Sequence, residues 1–389
     1  MNIKNKSFEV DSIIKSDLCV GCGLCAESMK ISESSRLIPD NLNDKAKDFF
    51  KFCPGVSRHN HNDSNGLFGK VDAAFESYST DAEIRNKGSS GGTITAIAAD
   101  LLKRGIVNGV YTIGVGSGIH FLPRLFTNAN DLVYSAGSKY CPTPTLLNIH
   151  ELLSFDGDLA IIGKPCEISA LKSALIQNGY TNKHIFISFF CAGLPSYKGT
   201  LDVINNLGGN VNSTSDIISI NYRGEGWPGK FIAKTQNGIF ETSYDNSWGN
   251  GLNRTLPLVC KLCPDGVGMS ADIVCADYWD TDDKGYPLFD DKPGKSLLLA
   301  RSELGLNIIN SCMATSAIVC NYVEDLEKGL ILRQPLQVNR RLSFKERGYA
   351  AKLKGVDIPK TTGYKSAYKL SYLKRVKSFI GMFLRIKKQ

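Results

Sequence analysis

The sequence predicts an α/β protein (α+β overall): a layered domain on a mixed sheet, preceded by a small cysteine module. Three observations carry that reading. From about residue 70, short apolar runs alternate with helix-length segments, the order expected of strands and their crossover helices. The opening segment, 1–60, instead concentrates cysteines, three of them at two-residue gaps in "CVGCGLCAESMK". A Gly-punctuated, β-rich stretch at 215–245 breaks the alternation and holds the hairpin signal Asn237-Gly238.

The elements follow in order. Residues 1–60 form the cysteine module, a ferredoxin-type arrangement, and the polar 57–69, "SRHNHNDSNGLFG", reads as a linker. Strands are expected at 106–115, 158–163, 184–190, 271–275 and 296–301. Helices are expected at 92–104, 144–154, 167–178 and 196–207, which implies a largely parallel central sheet with an antiparallel insertion at 215–245. Residues 70–150 and 151–330 are taken as two subdomains and 331–389 as a helical basic tail.

With 389 residues, 42% of them apolar, the chain can bury a large core without metal staples. The N-terminal segment shows no signal-peptide pattern, and no apolar run is long enough to span a bilayer, so a cytoplasmic location is expected. Twelve cysteines there point to metal or redox chemistry rather than disulfides. The net charge of +8 resides in the segment 363–389, which holds eight Lys and Arg and no acid. The neutral remainder argues against a nucleic-acid surface.

A ferredoxin-type cluster loop has cysteines two residues apart, then a fourth before a proline that serves another cluster. Here Met29 and Lys30 take those last two places. The remote ligand is still supplied, by "KFCPG": Cys53 followed by Pro54. Cys19, Cys22, Cys25 and Cys53 therefore make a complete thiolate set for a 4Fe-4S cluster. Zinc also takes four thiolates, but usually as two separated pairs.

Cys166, Cys191, Cys260 and Cys263 form a second possible set. Cys166 and Cys191 each follow an expected strand, and strand ends on one edge of an α/β sheet converge. Spacing alone leaves open that these are two structural thiols and a loop pair.

The stretches "SSGGTITAIAADLLKRGIVNGV", "GSKYCPTP", "GKPCEISALK", "FFCAGLPS", "NYRGEGWPG", "CKLCPDGVGMSADIVCADYW" and "SLLLARSELG" run in this order between positions 70 and 320. In them the chain resembles the beta-subunit family of coenzyme F420 hydrogenases and dehydrogenases. The resemblance implies a flavoprotein with a second 4Fe-4S cluster on Cys166, Cys191, Cys260 and Cys263. Relatives with an added N-terminal ferredoxin module include the plant chlorophyll-cycle reductase for a hydroxymethyl pigment. Bacterial members with "YRGEGWPG" accompany surface-polysaccharide gene sets, a hint at pathway. Cys141 and Cys275 depart from the family pattern and either take part in the second site or, with Cys312 and Cys320, read as small core fillers.

No G-x-G-x-x-G opens a strand–turn–helix unit, so a Rossmann site is not expected. Residues 88–92, "GSSGG", precede a helix, where backbone N–H groups suit a phosphate or simply cap the helix. The resemblance places FAD near them, at Ser89, Ser90, Gly91 and Gly92. Lys139 is a cation for its phosphate or reduced ring, with Arg85 a weaker choice. Tyr222, Arg223, Trp227 and Lys230 form either a loop over an active site or a hairpin with an aromatic anchor. Asp272 and Asp277 are either proton donors or structural. His59, His61, His120, His150 and His184 show no metal-ligand spacing.

The expected function is an electron relay: a donor such as ferredoxin or a reduced deazaflavin, two clusters, FAD, then a small organic substrate. The alternative is an electron-carrier subunit that docks onto a partner enzyme. In the tail, Leu370, Leu373, Val376, Ile380, Phe383 and Leu384 recur at helical spacing among Lys369, Lys374, Arg375, Lys377 and Lys388. That suits either an amphipathic helix on the inner membrane face or a helix docked on the body.

Overall fold

The computed structural model describes residues 10–62, 64, 66–180, 183–283, 287–324 and 326–386. Its strands are β1 (Ala26–Ile31), β2 (Leu37–Leu42), β3 (Ser57–His59), β4 (Ala73–Ser79), β5 (Gly109–Ile113), β6 (Pro123–Phe126), β7 (Leu159–Ile162) and β8 (Ile185–Phe189). There follow β9 (Ile217–Asn221), β10 (Lys230–Thr235), β11 (Gly238–Ser243), β12 (Ile273–Asp277), β13 (Ser296–Ala300), β14 (Ile318–Tyr322) and β15 (Lys360–Thr362).

Eight of these strands make the central sheet, in the order β14-β4-β13-β12-β8-β7-β5-β6. In its middle, β12, β8, β7 and β5 run parallel to one another. The expectation of a largely parallel sheet is corrected on either side of them, where the pairs are antiparallel. A parallel neighbour needs a crossover, usually a helix. Among the described residues the connections β5–β6 and β12–β13 contain none, so each chain simply turns back.

Successive residues along these strands feed opposite faces. On β12, Ile273 and Cys275 join one apolar cluster, Val274 and Ala276 the other. Helices Thr93–Lys103 and Glu303–Ala314 cover the first face, and Pro165–Gln177 covers the second with the cysteine module and the C-terminal helices. The result is three layers, with both sheet faces dry. The insertion is confirmed as a three-stranded antiparallel sheet, β11-β10-β9, with its own apolar cluster.

Residues 57–69 are not a solvated linker. β3 pairs in parallel with β15, and Arg58, Asn60, Leu67 and Phe68 are buried. The expected helix 144–154 begins only at Ile149, because Leu146 N–H bonds the Cys22 carbonyl instead of a helical partner.

Candidate functional site

Cys19, Cys22 and Cys25 of the first set sit on the loop before the β1/β2 hairpin. Gly21 and Gly23 take positive φ there, 64° and 85°. A Cβ on Gly23 would lie 2.6 Å from Leu147 Cα, so the loop lies directly against the large domain and tolerates no side chain. Asn43 ties the loop from below, its side-chain amide donating to the Leu24 and Ala26 carbonyls. Cys53 follows the short helix Ala46–Phe50, and its carbonyl accepts from Val56 and Ser57. Cys19, Cys22, Cys25 and Cys53 all line one small cavity, closed by Met29, Pro39 and Phe49. Met29, standing where a fourth consecutive cysteine would be, is thus part of the apolar wall.

The second set converges from three segments. Cys166 lies in the first turn of Pro165–Gln177, directly beyond β7. Cys191 follows β8, and its N–H donates to the Gly266 carbonyl at 2.8 Å. Cys260 and Cys263 share one tight turn, the Cys263 N–H reaching the Cys260 carbonyl. Just beyond it Asp265, buried, shapes the next turn by accepting from Val267 and Gly268 at 2.9 Å. Cys166 feels Cys263 and Cys191 electrostatically, and Cys191 feels Cys260 and Cys263.

The two sets are neighbours. Asp17, two residues before Cys19, accepts from Leu258 at its carboxylate (2.7 Å) and from Val259 at its carbonyl (3.1 Å). Glu167, fully buried, is felt by both Cys22 and Cys166 and meets the Lys164 ammonium at 2.7 Å. Burial pushes the Cys19 and Cys191 thiols up to about 12, with the nearby Cys53 and Cys260 adding to it. Uncompensated, such thiols stay protonated. Among the described residues, no three Cys, His, Asp or Glu groups are drawn around a single ion.

The residues assigned to FAD are brought together differently. Ser89 donates to the Arg223 carbonyl and accepts from the Ser138 N–H; Ser90 bonds Ser296. The Gly91 N–H donates to Ser296, and Gly92 (φ 71°) caps Thr93–Lys103. Lys139 donates to the carbonyls of Ser135, Ala136 and Gly137. Burial lowers its pKa to about 8. The side chains of Ser89, Ser90 and Lys139 and the Gly91 N–H thus already have partners within the protein.

Arg223 lies beside that loop, its carbonyl accepting from Ser89. It is 1% exposed, stacks within 4.4–4.9 Å of Trp227, Tyr244 and Trp279, and pairs with Asp277 at 2.7 Å. Its Nη2 has no partner among the described residues. Asp272 accepts from Phe186 and Ser302, a structural tie between β8 and a helix N-terminus. Arg85 lies over Tyr78 and donates to Gly294. Cys141 and Cys275 are buried in separate apolar clusters, and Cys312 donates to Asp100.

Fold and cysteine sets together define a cysteine-rich mixed α/β protein. The chain belongs to the coenzyme F420 hydrogenase/dehydrogenase beta-subunit family: residues 74–149 match its N-terminal model and 156–325 its C-terminal model. A coenzyme F420 hydrogenase subunit beta from Methanococcus voltae is 22% identical over 280 residues, 70% of this chain and 92% of that protein. The beta subunit of F420-dependent formate dehydrogenase 1 from Methanococcus maripaludis is 28% identical over 208 residues, 51% of this chain and 50% of it. The chain thus spans about half of that relative. The fold is similar to a chain of the F420-reducing [NiFe] hydrogenase complex from Methanosarcina barkeri, with TM-score 0.57 and 21% identity over 76% of this chain and 96% of that one.

Proposed function

We propose that the protein is an iron–sulfur electron-carrying subunit that docks onto a partner oxidoreductase. Cys19, Cys22, Cys25 and Cys53 would hold one 4Fe-4S cluster, and Cys166, Cys191, Cys260 and Cys263 another. The single observation that carries this reading is the cavity lined by all four cysteines of the first set. Thiols spread around a cavity suit a cluster, because each sulfur binds a different iron. Beside the second set, Arg58 stands as a buried cation, its Nη1 still unpartnered among the described residues.

Bound there, the clusters would supply one-electron transfer between a donor and an acceptor on the partner. The chain's own residues do the rest. Met29, Pro39 and Phe49 keep water from the first cage, Asp17 locks one set against the other, and Asp265 fixes the turn that follows Cys263. Ferredoxin or a reduced deazaflavin is the donor we propose, the latter on the strength of the relatives' names.

A second reading, a flavin enzyme with its own small substrate, is favoured by one feature. The Nη2 of Arg223, beside the 88–92 loop, has no acceptor among the described residues and could donate to an anion such as a flavin phosphate, although Nη1 already pairs with Asp277. Anaerobic purification decides between them. About eight irons per chain without flavin supports the carrier, the same iron with one FAD supports the enzyme, and neither iron nor flavin ends both.

No described helix is long and apolar enough to cross a membrane. We propose peripheral contact through helix Tyr372–Arg385. It docks through Phe379, Met382 and Phe383 but leaves Leu373 and Leu384 more than three-quarters exposed beside Lys374 and Lys377.

A further inference from the structure

Arg58 stands at the seam between the two cysteine sets. Its Nε–H donates to the carbonyl of Pro54, next to Cys53, at 3.0 Å. Its Nη2 donates to the carbonyl of Val259, next to Cys260, at 3.2 Å. The side chain is 4% exposed, and Nη1 has no acceptor among the described residues. It also walls a cavity together with Leu262 and Pro264, the two residues flanking Cys263.

A guanidinium has five N–H donors in a rigid fork. Two edges of this fork are spent fixing backbone beside one cysteine of each set. A buried, cationic N–H left without an acceptor is costly, and an acceptor supplied by a bound group would recover that cost. Nearby, Arg347 is spent on the Lys261 and Arg340 carbonyls, and Arg340 on Ala192. Arg58 therefore has a donor to spare.

We propose that Arg58 is a positioning residue shared by the two cages: it sets the backbone of both and gives its free Nη1 to a sulfur of the Cys166/Cys191/Cys260/Cys263 cluster, raising that cluster's reduction potential. The inference rests on the two-cluster reading. A nearby cation or an N–H···S bond favours the more negative, reduced state of a cluster.

The test is a dithionite titration of the anaerobically purified full chain, followed by EPR, with iron counted in every sample. Arg58→Gln should shift one cluster's one-electron equilibrium tenfold or more toward the oxidised form, about 59 mV, and the other's by less. Arg58→Lys, which keeps a cation without the fork, should shift it in the same direction by less. A wild type without two clusters removes the two-cluster reading and this inference with it. A two-cluster wild type with unchanged midpoints in iron-loaded Arg58→Gln overturns the inference alone. Should that variant fail to load, Arg58→Lys decides: a threefold or greater fall supports the role, and an unmoved midpoint refutes it.

Discussion

The Arg223 guanidinium meets the Asp277 carboxylate at 2.7 Å, joining the 222–230 loop to the end of β12. Arg223 is enclosed by three aromatic rings, whereas Asp277 is 23% exposed, so one partner has no access to water and the other has some. Removing the carboxylate strands a buried cation. Asp277→Asn should lose about 2–3 kcal/mol, at or just below the range for fully buried pairs. Chemical unfolding of both chains measures the difference. A loss under about 0.5 kcal/mol, the level of an ordinary surface substitution, would show that Arg223 is satisfied some other way.

The two cages should empty independently. Cys53→Ser should lower the iron content by about half while leaving the second cluster's signal, and Cys191→Ser should do the reverse. Iron assay and low-temperature EPR on each variant read this out. If either substitution removes all the iron, the sets are one site.

Gly91 fits where no side chain can. A Cβ there would lie 2.5 Å from the Ser77 carbonyl oxygen and 2.9 Å from the Ser296 nitrogen, both backbone atoms of central strands. Gly91→Ala should therefore cost about 1–3 kcal/mol by overpacking. Thermal unfolding at fixed pH tests this, and an unchanged midpoint means that β4 and β13 can part.

Burial first, then the nearby His59 and Lys172, lowers the His61 pKa from 6.5 to about 4. The unfolded chain takes up a proton near pH 6.5 that the folded chain refuses until about 4. This contribution to stability is thus intact above pH 6.5 and is lost as the pH falls toward 4. Melting temperatures from pH 7.5 to 4.5 should fall less steeply for His61→Gln, which can still bond Ser173. Parallel curves would assign the acid sensitivity elsewhere.

The tail helix should carry any membrane affinity. Leu373→Ser with Leu384→Ser should reduce co-sedimentation with anionic vesicles by tenfold or more, since each buried apolar side chain contributes about 1.5–3 kcal/mol. Equal pelleting of both chains would leave the helix a purely internal buttress.

Much of the fold was legible locally. Strands β5, β7, β8, β12 and β13 coincide with, or lie just beside, the apolar runs that announced them. Buried strands are nearly continuous in apolar residues, so such runs stand out. β4, "AAFESYS", and β14, "IVCNY", were missed. Polar residues interrupt both, and they pair with each other across almost the whole length of the domain. The supposed linker 57–69 misled for a related reason. Its polar composition is spent on buried contacts, His61 on Ser173 and Arg58 on two carbonyls.

Residue order was enough to predict two cysteine sets and to reveal the layering. Thiols two residues apart can wrap a cluster wherever they lie, and the periodicity of apolar side chains is a local property of the backbone. Folding was needed to make the two cysteine sets neighbours that share Arg58 and Glu167, and to spend the donors of Ser89, Ser90 and Lys139 on protein. Those outcomes depend on which distant carbonyls and charges come to rest beside each side chain, and no spacing along the chain encodes them.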